Sequence, residues 1–419
     1  MEWKIRVLVG ALFLAAFSFS ACGGGNGGGG AEEFGLLLFP GNDGAGGASY
    51  AGNYELWGCD RDDVISKIAE IDPGPDPSWP YDYAFYKDRV YFRALTAASG
   101  YELWVTDGTA QGTTMVKDLY PGTGSSRPGA LTVLSGALFF AATDSTHGRE
   151  LWKSDGTAAG TDLLVDINPG TDSSSPFNLA VGGGALYFSA MDPVHGSELW
   201  KSDGTAEGTT LVANINPDDG TVRHSYPSYF QEFAGEVYFA ATHYLSGQEL
   251  WKTNGSAAGT TMVHEFATAG LNGYVQNLTV FNGELFLTAD DNARGRELWK
   301  TDGSASGTTL VRDINPDAGN SSPNQLTVYN GELFFAADDG NHGPELWRSN
   351  GFAAGTTLVA DILEGEDGSA PFTLTLFNEA LYFIAEDDRG GELWKTNGTA
   401  EGTTIVMDLW PGPDWGVAD

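Results

Sequence analysis

The tripeptide Glu-Leu-Trp occurs eight times in this chain, with its glutamates at Glu55, Glu102, Glu150, Glu198, Glu249, Glu297, Glu345 and Glu392. Successive copies lie 47, 48, 48, 51, 48, 48 and 47 residues apart. A period held that closely over most of 419 residues implies like units, each burying its apolar face against the next. The units share more than the tripeptide. An apolar run ends at an Asn-Gly-type turn, a second run ends in Ala-Asp, and Asp-Gly-Thr-x-x-Gly-Thr follows the Trp.

One copy shows the local reading. Asn324 to Tyr329 reads as a strand ending at Asn330-Gly331, and Leu333 to Ala337 as a second strand. After the polar loop 338–343, a third strand runs from Glu345 to Ser349 and is closed by Asn350-Gly351. A fourth runs from Thr356 to Ile362. Outside the N-terminal apolar run no segment shows a helical period. Four-stranded units of about 40–50 residues, each with a Trp, are the mark of propeller blades. The sequence therefore predicts an all-β propeller of eight four-stranded blades. Trp57, Trp104, Trp152, Trp200, Trp251, Trp299, Trp347 and Trp394 are expected to be structural, packing between blades.

The repeat resembles the ELWxxDGT family of bacterial exported proteins. Glu150-Leu151-Trp152-Lys153-Ser154-Asp155-Gly156-Thr157 matches that motif position by position. The resemblance runs from about residue 36 to the end and implies a propeller-like repeat, with no activity to carry over. Some copies depart from it: Asn254, Asn350 and Asn397 replace the Asp, Phe352 replaces the Thr, and the first copy reads Gly58-Cys59-Asp60.

The first unit lacks its first strand. Residues 413–419 stand where a ninth unit would begin, so they are expected to complete that blade and close the ring. Seven blades or an open array are the alternatives.

The N-terminus addresses the compartment. Lys4 and Arg6 precede an apolar run, Val7 to Phe19, that is too short to span a membrane. It ends in Ser20-Ala21-Cys22, which resembles a lipobox, and Gly23 to Gly30 follows as a tether broken only by Asn26. The expected layout is a lipoprotein signal peptide over 1–21, lipidated Cys22 with its tether over 22–34, and one propeller domain over 35–419. The protein is then exported and membrane-anchored in the cell envelope, at the outer membrane or cell surface, through the lipid on Cys22. With Cys22 lipidated, the only other cysteine, Cys59, has no disulfide partner.

Twenty-one Lys and Arg stand against 56 Asp and Glu, a net charge of −35. That sign excludes nucleic acid as a partner. Nothing in the repeat demands self-association, so a monomer is expected. No G-x-S-x-G, HExxH or Walker motif is present, and no catalytic residue is assigned. The repeated glutamates read as acceptors of backbone N–H groups, since a buried carboxylate needs such partners. His147, His195 and His342 share one slot before the tripeptide and read as turn caps.

Function then falls to the loops joining the second to the third strand and the fourth to the next blade, which share one face of a propeller and vary between copies. The unit with the longest spacing gathers Arg223, His224, Tyr226 and His243, and these are candidate ligand-binding residues. So are the paired carboxylates Asp290, Asp291, Asp338 and Asp339. These are hard oxygen ligands of the kind that hold Ca²⁺ weakly, although no EF-hand spacing is present and a solvated acidic loop needs no ion. No other cofactor is expected. The leading expectation is a non-enzymatic binding or adhesion scaffold for a protein or glycan. The alternative is an exported glycan-active or other hydrolytic enzyme with its site at the channel mouth.

Overall fold

A computed structural model describes residues 35–42, 54–62, 64–74, 76–217, 222–268, 270–388 and 390–407. They form eight antiparallel sheets, each a meander in which sequential strands are neighbours. Seven sheets have four strands, as in the blade Asn324–Tyr329, Glu332–Asp338, Pro344–Ser349 and Thr357–Ala360. The first has three described strands, Leu36–Asn42, Tyr54–Asp60 and Ile65–Ala69. Numbered in chain order, these sheets are blades 1 to 8. Among the described residues the only helices are two single 3-10 turns, Ala257–Gly259 and Ala353–Gly355.

The Asn-Gly-type turns work as the sequence implies. Asn330 and Gly331 have φ of 49° and 76°, the doubly left-handed turn whose twist matches two paired strands. The same pair of positive φ values recurs at Lys87 and Asp88, Ser135 and Gly136, and Asn378 and Glu379. The outer strand is shorter than predicted, ending at Ala360 rather than Ile362. The chain leaves the ladder there to aim the N–H of Leu363 at Glu345, 3.0 Å away.

In the seven four-stranded blades the first strand is the innermost. Thr132, in Gly129–Leu134, donates to the carbonyl of Leu179 in the first strand of the next blade, at 3.2 Å. Thr279 reaches Leu326 likewise, at 3.4 Å. Core lies between blades. Trp152 packs on Tyr86, Tyr91 and Leu103 of the preceding blade, and Trp347 on Phe281, Phe286 and Leu298 of its own predecessor. Leucine and tryptophan of one tripeptide thus face opposite neighbours, as strand alternation requires.

The same rule closes the ring. Trp57 of blade 1 is buried against Phe377, Tyr382, Ile384 and Leu393 of blade 8, with Cys59 in the same seam. Asn378 Nδ2 donates to the carbonyl of Arg61 across it, at 2.9 Å. The architecture is a closed propeller of eight blades, not an open array. Residues 413–419, expected to complete blade 1, lie outside the described residues, as do Cys22 and the tether.

Candidate functional site

One rim of the ring carries the turns between first and second and between third and fourth strands, and it is uniform. In the latter turn, Asp203 Oδ1 accepts the N–H of Thr205 at 2.9 Å and its hydroxyl at 2.7 Å. Thr205 Oγ1 accepts the N–H of Gly208 at 3.0 Å. A Cβ on Gly208 would collide with the Asp203 carboxylate, which is why the second glycine of the motif recurs. These bonds hold the Asp107, Asp155, Asp203 and Asp302 carboxyls below the usual range. Lysine after the Trp ties turn to turn: Lys153 Nζ donates to the carbonyl of Gly204 and Lys201 Nζ to that of Gly255, both in the next blade. The Asp-Gly-Thr segment is structural.

The glutamates are structural too. Glu297 Oε2 accepts the N–H of Ile314 at 2.8 Å and the hydroxyl of Ser321 at 2.6 Å, while Oε1 accepts the Ser321 N–H at 3.1 Å. The carboxylate thereby pins the crossing from blade 6 to blade 7. Glu102, Glu150 and Glu345 hold Ser126, Ser174 and Ser369 in the same way. Burial pushes these carboxyls up against the opposing pull of their donors, to about 7 at Glu55, Glu198 and Glu297. At Glu249 the serine is replaced by Gly273, no hydroxyl is offered, and the value reaches about 8.

Above these glutamates lies the opposite rim, where the candidate residues sit. His147, His195 and His342 each face an aspartate three residues earlier, with Nδ1 to Asp144, Asp192 and Asp339 at 2.8, 2.8 and 2.9 Å. Asp291 accepts the N–H groups of Ala293 and Arg294, and Asp339 those of Asn341 and His342. Asp290 and Asp338 each accept one N–H two residues on, at 2.7 Å. Both carboxylate pairs are therefore engaged in shaping their loops. Among the described residues no three of His, Cys, Asp and Glu converge on a metal-holding point.

The other four candidates do converge, on blade 5. His224 and Tyr226 stack at 5.1 Å, the Arg223 guanidinium lies 4.3 Å from the Tyr244 ring, and His243 lies 4.7 Å from the same ring. Burial and then Arg223 pull the His243 imidazole below its usual value. Around them the rim is apolar and open. Tyr226 is 56% exposed, Tyr244 52%, Leu245 63%, Leu271 52% and Tyr274 44%.

A second asymmetric group was not foreseen. On blades 2 and 3, Arg93, Arg127 and Arg149 gather beside Tyr81 and Tyr101. The Arg93 guanidinium lies 3.5 Å from the Tyr81 ring and 5.2 Å from that of Tyr101. Arg93 Nη1 donates to the carbonyl of Pro128 at 3.2 Å, and Arg149 Nη1 to that of Arg127 at 2.6 Å. The available signal was Phe92-Arg93-Ala94, where blades 3 to 8 carry an uncharged residue, as in Phe140-Ala141-Ala142.

No protein-family model and no curated protein matches this chain. Among solved structures, it is similar to a puromycin hydrolase (TM-score 0.50, 14% identity), over 80% of this chain and 54% of that one. It is similar to prolyl oligopeptidase B from Galerina marginata (TM-score 0.50, 12% identity), over 78% and 50%. A puromycin-hydrolyzing peptidase of Mycobacterium tuberculosis gives 0.50 and 9%, over 79% and 52%. The chain spans about half the length of each peptidase, and at these identities the likeness shows the propeller fold alone.

Proposed function

We propose that this protein is a non-enzymatic binding scaffold of the ELWxxDGT-repeat type, which takes a protein or glycan ligand on its variable rim. The observation that carries this reading is the confinement of Tyr226, Tyr244, Leu245, Leu271 and Tyr274 to one rim of blades 5 and 6. Contiguous exposed apolar side chains mark interaction surfaces. The opposite rim repeats one turn, closed on itself by hydrogen bonds. The lipid on Cys22 and the glycine tether hold the domain 35–419 at the envelope surface, after removal of the signal peptide 1–21.

Two substitutions test the surface. Ser175 and Ser322 occupy the positions of Tyr226 and Tyr274 in blades 4 and 7, with φ of 47° and 46° against 46° and 45°. Tyr226→Ser and Tyr274→Ser therefore suit the backbone. A pull-down from envelope extracts and a glycan array should each be probed with wild type and the double variant. A ligand retained by wild type and lost by an equally stable double variant supports the reading. Ligand capture that is indifferent to both tyrosines overturns it. The anchor is tested separately: Cys22→Ser should release the protein from membranes, and fatty-acid labelling that misses the wild type would remove the anchor from the proposal.

A further inference from the structure

Three guanidinium groups converge in a chain that has only 21 basic residues against 56 acidic ones. Around Arg93, Arg127 and Arg149 the described residues supply one carboxylate, Asp82. That carboxylate is half-buried and already accepts the N–H groups of Ala130 and Leu131, at 2.7 and 3.4 Å. Arg149 lies close enough to Asp82 to draw its carboxyl downward, against the stronger upward push of burial. Burial and then Arg149 pull the Arg93 guanidinium down, Tyr101 opposes them, and Arg127 adds a smaller downward pull, leaving it at about 9. Among the described residues no carboxylate acts on it, and its Nε is buried with no hydrogen-bond partner. At neutral pH the group remains charged. The local excess is therefore positive, within a strongly negative molecule.

The cluster is also absent from the other blades. The position of Arg93 holds Ala141, Ser189, Ala240, Thr288, Ala336 and Ile384 in blades 3 to 8. Packing of the fold thus does not require an arginine there. All three arginines reach the variable rim, since Arg93 pairs with Tyr81 at the start of the inner strand and Arg149 precedes a tripeptide glutamate.

We infer that Arg93, Arg127 and Arg149, with Tyr81 and Tyr101, form a subsite for the carboxylate of an acidic sugar. The inference rests on the binding-rim reading and narrows its ligand. Guanidinium forks match a carboxylate in shape and charge. Tyr101 beside them, with Tyr226 and Tyr274 further round the rim, offers flat faces on which pyranose rings stack. A net charge of −35 over the whole chain repels polyanions. The fitting ligand is a mostly neutral glycan that carries a single uronic-acid carboxylate.

The test uses the full-length protein in detergent and isothermal titration. The probe is a neutral oligosaccharide bearing one glucuronate or galacturonate residue. Its methyl ester, an acetylated peptide with a free C-terminus, acetate and sulfate serve as comparison arms. Arg93→Ala and Arg127→Ser restore residues that other blades carry at those positions, so folding should survive; matched melting curves check this. Expected results are saturable binding of the acid, at least tenfold loss with the ester, and at least tenfold loss in each variant. Binding should weaken as salt is raised. The inference is overturned if no sugar acid binds saturably, if ester and acid bind alike, or if neither arginine variant weakens binding. It is also overturned if the peptide, acetate or sulfate competes as well as the sugar acid. Binding that survives the arginine variants but is lost with Tyr226→Ser and Tyr274→Ser would remove this subsite while leaving the binding-rim reading in place.

Discussion

Asn378 and Arg61 are 317 residues apart in the chain, yet the amide of the first lies 2.9 Å from the carbonyl of the second. Beneath that bond Trp57, 4% exposed, fills the seam between blades 1 and 8 as every other blade's tryptophan fills its own. An open array has no such seam, and its terminal tryptophan faces water.

Closure therefore makes Trp57 a core residue despite its place in an end unit. Trp57→Ala should destabilise by about 3–5 kcal/mol, as for a buried aromatic truncated to a methyl group. Trp299→Ala, at an internal seam, should cost a similar amount. Chemical denaturation of both variants checks this. A silent Trp57→Ala beside a damaging Trp299→Ala would mean that the ring opens at blades 1 and 8 in solution.

Stability should fall as pH rises from about 5 to about 8. The glutamates whose carboxyls are pushed up to about 7, and Glu249 at about 8, bind protons in the folded state that an unfolded chain has released above about 4.3. Their stabilising contribution is complete below that lower value and is lost through the higher ones. Surface repulsion has the same sign, so a single substitution must isolate the effect. Gly273→Ser offers the hydroxyl that Ser321 gives Glu297 in the neighbouring blade, once the Glu249 carboxylate, 2.5 Å from the added Cβ, turns aside. It should lower the Glu249 value and raise stability at pH 8 more than at pH 5. Denaturation midpoints of wild type and variant at both pH values provide the measurement. Equal shifts at the two would show that the added hydroxyl leaves the carboxyl's titration untouched.

In the uniform turns, Gly208→Ala should destabilise more than Gly74→Ala. A methyl group on Gly208 meets the Asp203 carboxylate, whereas one on Gly74 meets nothing within 4 Å. The loss should shrink when Asp203→Ala is combined with Gly208→Ala, because the obstructing side chain is then gone. A double-variant cycle by thermal melting checks this, and strictly additive effects would contradict the stated collision.

What the sequence made legible was whatever repeats. Each tripeptide glutamate could be assigned to backbone donors because its neighbours recur, and the tryptophans to blade seams because eight binding sites of one kind would be redundant. The shortening of the outer strand escaped, because Asp361-Ile362 reads as strand by composition while its geometry serves Glu345. Arg223, His224, Tyr226 and His243 could be suspected from one widened spacing, and they do meet. Arg93, Arg127 and Arg149 could not be joined by inspection. Arg93 and Arg149 lie on strands of blades 2 and 3 and Arg127 on the crossing between them, so they approach one another only because blade 2 abuts blade 3. The carboxylate pairs each accept N–H groups of their own turns, a use of their oxygens that adjacency in sequence does not reveal.

The glutamate staples beneath the variable rim divide the molecule's inheritance. Six described crossings between blades are fixed by Glu, Ser and main-chain groups, and the residue directly after that serine is left-handed whatever its side chain: Trp79, Arg127, Ser175, Tyr226, Ser322 and Ala370 all adopt φ between 44° and 48°. Side chains as different as Trp79, Arg127 and Ala370 thus share one backbone conformation, so substitution at those positions should change what the rim displays and keep the turn. On the proposed binding rim, the displayed side chain can change blade by blade while each of those crossings keeps its backbone.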